Sequence, residues 1–117
     1  MFQAFLSRLQ PASAVPTIDA AELHKLMKSK NPPLLVDVRS AAEYEQDGHI
    51  AGSRLLPLGN LSQRISELPL DKPVVCVCRS GSRSHVACEQ LQRQGFTNVT
   101  NLSGGVIGWR RVGLPLK

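Results

Sequence analysis

Two apolar blocks stand out along this chain. Leu34-Leu35-Val36 with Val38, and Val74-Val75-Cys76-Val77-Cys78, are almost unbroken by polar residues. Short runs of this kind belong to strands covered on both faces, as in a parallel sheet. Shorter extended pieces are expected at 17–18, 53–58 and 98–102, with Pro57 marking the end or edge of the third strand. Between these blocks the spacing becomes helical. Asp19 with Glu22 forms a capping box, Ile18 and Leu23 sit where a hydrophobic staple would be, and Leu23, Leu26 and Met27 supply a core face. Ser40 with Glu43 is a second capping box, opening a short helix that stops before Gly48. Asn60 with Gln63 is expected to start a helix carrying Leu61, Ile65 and Leu68, broken between Pro69 and Pro73. A helix over 84–94 ends at Gly95. A last one follows Gly104-Gly105, carries Trp109 and Val112, and stops at Gly113 and Pro115.

Strand signals therefore recur about every 20 to 25 residues with a helix between them, the spacing of repeated βαβ units. The expected fold class is α/β, a central parallel sheet of about five strands flanked by helices. The crossovers of such a sheet are right-handed, and ligands bind beyond the carboxyl ends of its strands. At 117 residues the chain has the length of one domain. Residues 1–16 are expected to be an N-terminal arm and linker, and 17–117 the domain. Phe2, Phe5, Leu6 and Leu9 recur at helical spacing in the arm, and Pro11 to Pro16 reads as the linker.

Composition narrows the function classes. The net charge is +5, but the basic residues are dispersed, and aromatic residues make up only 4 %. A base-stacking platform is not supported, so no nucleic-acid partner is expected. The positive balance suits small anionic substrates or acidic partners. Cys76, Cys78 and Cys88 do not form an even disulfide framework, and no Cys/His cluster has zinc-ligand spacing. No metal and no cofactor are expected. No apolar run reaches membrane-span length and the first residues do not resemble a signal peptide, so a cytoplasmic protein with no membrane contact is expected.

Candidate chemistry concentrates in Cys78-Arg79-Ser80-Gly81-Ser82-Arg83-Ser84, between the second apolar block and a helix start. Small residues and one glycine allow the backbone to curl with its N–H groups inward, and a helix N-terminus adds partial positive charge. Arg79 and Arg83 add full charges. A cysteine in such a setting is acidified to about 3.5–7.5. Its thiolate is a nucleophile toward sulfur, phosphorus or arsenic, and an accessible, ionised sulfur is the central expectation. Cys76 and Cys88, among apolar neighbours, are expected to be small core residues.

The loop resembles the active-site loop of rhodanese-like domains. Leu34 to Arg39, Glu43-Tyr44 and Gly48-His49-Ile50-Ala51-Gly52-Ser53 resemble that family's first block. Val74 to Ser84 matches its catalytic block. Gly104-Gly105, Gly108-Trp109 and Gly113-Leu114-Pro115 resemble its C-terminal signature. The resemblance spans about 17–116. It implies a sulfurtransferase in which Cys78 takes a sulfane sulfur from thiosulfate or a persulfide donor and passes it to cyanide or a thiol, with Arg79, Ser80, Gly81, Ser82, Arg83 and Ser84 binding substrate. A protein sulfur-relay partner is a further implication. Phosphatase and arsenate-reductase relatives of the fold use a loop one residue longer, which places sulfur transfer first. A non-catalytic binding or sensing module is the other alternative, against which stands the retained cysteine.

Other polar residues have plainer expected roles. Asp37 and Arg39 are expected to form an ion pair fixing a strand end, with Glu43 as a further partner. His49 is expected to be a hydrogen-bonder in a turn, Trp109 a core anchor, and His24, His85, Arg110 and Arg111 surface positions.

Overall fold

The computed structural model describes residues 14–117. The N-terminal arm and the first part of the linker lie outside the described residues. The strands are β1 (Thr17–Ile18), β2 (Leu34–Asp37), β3 (Arg54–Leu55), β4 (Val74–Val77) and β5 (Val99–Leu102). They form one sheet in the order β1-β5-β4-β2-β3, parallel at every junction. The helices are α1 (Ala20–Met27), α2 (Ala41–Gln46), α3 (Leu61–Arg64), α4 (Ser82–Arg93) and α5 (Gly105–Arg111). The expected α/β architecture is the one observed.

Alternation along β4 divides the core in two, because successive side chains of a strand point to opposite faces. Val74, Cys76 and Cys78 join Val36 and Val38 against Ala87, Cys88 and Leu91 of α4, with Leu61 and Phe96 closing that layer. Val75 and Val77 join Leu35 and Leu102 against Ala20 and Leu23 of α1 and Val106 and Trp109 of α5. Both faces are covered, which is why β4 is apolar at every position.

Both capping boxes form. The Glu22 amide donates to Asp19 Oδ1 at 2.8 Å, and the Glu43 amide donates to Ser40 Oγ at 3.2 Å. Four local expectations need correction. Leu26 is 43 % exposed, so α1 buries a narrower face than its spacing suggests. Asn60 makes no side-chain cap, because a 3-10 turn over Leu58–Asn60 runs straight into α3 and holds Asn60 away from the extended backbone a cap needs. The helix expected to reach Leu68 is one short turn followed by a second 3-10 turn, Ile65–Glu67. The third strand is only two residues long, although the Leu56 and Leu58 amides still bond the carbonyls of Asp37 and Val38. Among the described residues, no helix is long and apolar enough to cross a membrane.

Candidate active site

The central position of β4 puts its carboxyl end, and the loop after it, at the middle of the sheet's ligand-binding edge. Cys78 follows the last residue of β4. Gly81 takes φ +111°, a left-handed conformation open to glycine, and α4 begins at Ser82, two residues earlier than the spacing implies. The curl is thus Cys78 to Gly81, and Ser82, Arg83 and Ser84 belong to the first turn of the helix.

The backbone polarity of this curl is set by what holds its carbonyls. The carbonyls of Cys78 and Arg79 accept the Val106 and Ile107 amides at the start of α5, at 2.9 and 3.1 Å. The Gly81 carbonyl accepts Asn101 Nδ2 at 2.9 Å. With the Arg79 carbonyl tied outward, the Ser80 amide of the same peptide is turned toward the sulfur. The Gly81 amide donates to Cys78 Sγ at 3.1 Å, and Ser84 Oγ lies 3.3 Å from the same sulfur. Burial pushes the Cys78 thiol up, but hydrogen bonds from the Ser84 hydroxyl and from the amides of Ser84, Gly81 and Ser80 outweigh it, so the thiol sits below its ordinary value.

Two expectations about this loop are corrected. The sulfur was expected to be accessible, but Cys78 has 0 % exposure. The cause is strand alternation: the side chain points with Cys76 and Cys88 toward α4, under the curl instead of above it. Arg83 was expected to offer a free charge, but it is forked onto the Glu43 carboxylate at 2.8 and 2.9 Å. The acidification at Cys78 comes chiefly from Ser84 and the backbone, with Arg83 acting on it through charge and not through a hydrogen bond. That fork lowers the Glu43 carboxyl to about 2, chiefly through the Arg83 hydrogen bonds. It also ties α2 to the first turn of α4. Arg79 and Ser80 are exposed on the outer side of the curl.

The remaining polar residues buttress the edge. Arg39 forks onto Asp37 with Nη2–Oδ2 2.8 Å, both buried, and Arg39 also donates to the Gly48 carbonyl at 2.8 Å. The expected strand-end ion pair forms, but Glu43 is not part of it. His49 bonds the Tyr44 carbonyl through Nδ1 at 2.9 Å and stacks on the Tyr44 ring, as a turn residue should. Trp109 is buried in the core. His24 and His85 are half-buried rather than fully at the surface. His24 meets Trp109 edge-on, and His85 lies 3.6 Å from Glu89. Arg110 and Arg111 are exposed. Cys76 and Cys88 are fully buried, and hydrogen bonding with Cys88, together with burial, pushes the Cys76 thiol up, which keeps it protonated. A pocket of about 310 Å³ beside the curl is lined by Arg39, Arg79, Arg110, Asp47 and Gln46, with Val106 and Ile107 as its wall.

The contacts of Asn101 and Gly105 were not anticipated. Gly105 has φ +55°, and a Cβ there would stand 2.5 Å from the Arg79 carbonyl oxygen and closer still to that of Cys78. The doubled glycine was visible as a turn, but its packing partner was not. Asn101 carried one signal, a polar amide inside an otherwise buried strand.

Comparison with known proteins follows the same lines. A family model described as "Rhodanese-like domain" matches residues 19–111. The chain is 44 % identical over 99 residues to a sulfurtransferase of Allochromatium vinosum, covering 85 % of this chain and 92 % of that protein. It is 37 % identical over 83 residues to the thiosulfate sulfurtransferase GlpE of Pseudomonas paraeruginosa, covering 71 % and 74 %. The crystal structure of a rhodanese-related protein from Thermoplasma volcanium superposes with a TM-score of 0.79 at 31 % identity, over 87 % of this chain and 97 % of that one.

Proposed function

This chain belongs to the rhodanese-like domain family, and from that membership we propose that it is a sulfurtransferase working through a persulfide on Cys78. The observation that carries the proposal is the hydrogen bonding of one sulfur by the Gly81 amide and the Ser84 hydroxyl, which together with the neighbouring amides lower its thiol. Cys76 and Cys88 lack such a setting.

The chemistry balances in two steps. The Cys78 thiolate attacks the outer sulfur of thiosulfate. A Cys78 S–S bond forms, the donor's S–S bond breaks, and sulfite leaves with the bonding pair. In the Cys78 persulfide the inner sulfur keeps the thiolate's place and the outer sulfur, about 2 Å beyond it, carries the negative charge, which the amides of the curl stabilise. In the second step an acceptor, cyanide or a thiolate, attacks the outer sulfur. Thiocyanate or a new persulfide leaves, and Cys78 returns to the thiolate. No general base is needed, because the nucleophile is already acidified. The amides of Ser80, Gly81 and Ser84 and the Ser84 hydroxyl are directed at the sulfur, while Ser82 is exposed in the first turn of α4. Arg79 and the neighbouring arginine-lined pocket favour the approach of an anionic donor. The same chemistry suits a protein donor or acceptor bearing a persulfide or thiol.

The test is incubation with thiosulfate and cyanide, reading thiocyanate and sulfite. Turnover by the native chain and none by Cys78→Ser is expected. Equal turnover by Cys78→Ser overturns the proposal. Aryl-phosphate hydrolysis lost in Cys78→Ser, with no thiocyanate from the native chain, replaces it with a phosphatase.

A further inference from the structure

Asn101 bonds the Ser84 hydroxyl that contacts the Cys78 sulfur and the carbonyl of Gly81, whose N–H contacts it, although it does not touch the sulfur itself. It stands on β5 opposite Cys76 of β4, two residues before Cys78. Its backbone is fixed, since its amide donates to the Pro16 carbonyl at 2.8 Å. Its side chain is 5 % exposed, and both amide atoms are used. Nδ2 donates to the Gly81 carbonyl at 2.9 Å, and Oδ1 accepts from the Ser84 hydroxyl. This orientation is forced, because a carbonyl is acceptor-only and the nitrogen must face it. The two residues held are the ones at 3.1 and 3.3 Å from the sulfur.

We infer that Asn101 is a positioning residue, whose amide holds the Gly81 carbonyl where the curl enters α4 and sets whether the Ser84 hydroxyl hydrogen points to Asn101 or to the Cys78 sulfur. The inference rests on the Cys78 sulfur-transfer reading for its purpose, but its geometry is independent of what the sulfur does. The Gly81 carbonyl accepts both the His85 amide, at 3.2 Å, and Asn101 Nδ2, so Asn101 adds a side-chain tie to the junction of the curl and α4.

Ser84 has one hydroxyl hydrogen for two neighbours. When Cys78 is a thiol, that hydrogen points to Asn101 Oδ1, and the oxygen's lone pair is free to accept S–H. When the thiol loses its proton, rotation about the Cβ–Oγ bond turns the hydrogen onto the sulfur. Asn101 Oδ1 thereby satisfies the buried hydroxyl hydrogen in the thiol state and competes with the sulfur for it in the thiolate state. Other ionisable groups around the sulfur are Cys76 on β4, Cys88 and Arg83 on α4, with Arg83 joined to Glu43 of α2, and the Asp37–Arg39 pair at the end of β2. None of them contacts Asn101 through a hydrogen bond or ion pair among the described residues.

The experiment measures the pH dependence of iodoacetamide alkylation at Cys78, followed by peptide mass so that Cys76 and Cys88 do not contribute. Native chain, Asn101→Ala, Asn101→Asp, and Ser84→Ala/Asn101→Ala with Ser84→Ala as its reference are compared, with thermal midpoints recorded alongside. Asn101→Ala removes the acceptor that competes for the Ser84 hydrogen and is expected to move the alkylation midpoint downward by about one pH unit. Asn101→Asp keeps an acceptor at Ser84, loses the donor to Gly81 and adds charge near the sulfur, so its midpoint is expected to move upward. An upward shift in Asn101→Ala overturns the inference. The Asn101→Ala effect is expected to shrink when Ser84 is already alanine. A lowered thermal midpoint with the alkylation midpoint unchanged in both single variants overturns the inference and leaves Asn101 a packing residue. Alkylation reads Cys78 whether or not sulfur is transferred, so failure here and failure of the sulfurtransferase reading are separate results.

Discussion

At the scale of single residues, the ionisation of Cys78 is a contest between burial, which favours the neutral thiol, and hydrogen bonds, which favour the thiolate. Ser84 supplies the first of those bonds in size. Ser84→Ala is expected to raise the alkylation midpoint of Cys78 by about one to two pH units, since a hydrogen bond to a charged group contributes about 1.5–3 kcal/mol. At pH values below the native midpoint the thiolate fraction, and with it the rate of donor use, falls by about tenfold or more, as steady-state assays at saturating acceptor would read. Glu43 has a different titration. Its folded carboxyl is held at about 2, below the unfolded value, so the unfolded chain binds the extra proton first. The ion pair with Arg83 therefore stabilises fully above about pH 4.5 and is lost as pH falls toward 2. Arg83 is 40 % exposed, so screening reduces the contribution to about 1 kcal/mol. Urea unfolding of Glu43→Gln against the native chain should show that difference at pH 7, a decline below about pH 4.5 and its disappearance only below about pH 2, a window set by the Glu43 value.

At the scale of elements, α5 acts on the active loop from the opposite side of the sheet. Its first amides hold the carbonyls of Cys78 and Arg79, and Gly105 allows the approach. Gly105→Ala forces a Cβ into those carbonyls at a positive φ, and is expected to cost about 2–4 kcal/mol in urea unfolding. It should also slow Cys78 alkylation, because the carbonyls that turn the amides inward are displaced. The complete burial of the sulfur adds a kinetic expectation. An atom with no exposed surface is attacked only after its cover moves, so loading by excess donor should saturate at a rate set by movement of the curl. A loading rate strictly proportional to donor concentration throughout would contradict that. Much of this was legible beforehand. The apolar runs of β2 and β4, both capping boxes and the loop at Cys78 followed from period and composition. The boundaries around 53–68 did not, because 3-10 turns carry weaker spacing signals than helices. Nor did the pairing of Glu43 with Arg83 or of Asn101 with the loop. Those contacts join residues 40 and 20 positions apart, and no local pattern encodes them.

At the scale of the molecule, the strand order β1-β5-β4-β2-β3 sets β4 in the middle and collects at one edge the loop from β4, the first turn of α4 and the start of α5. The two core layers hold that edge from both faces, so the curl is fixed by tertiary contacts and the sheet supplies its rigidity. The account stands on a sulfur held ionised beneath inward-pointing N–H groups. Intact-mass analysis after thiosulfate treatment, with peptide mapping, tests this most directly. The native chain should gain one sulfur atom on Cys78, release it to cyanide, and show no gain at Cys76 or Cys88, while Cys78→Ser gains nothing. A native chain whose mass is unchanged by thiosulfate and by small persulfide donors, under conditions where Cys78 still alkylates, would contradict the account.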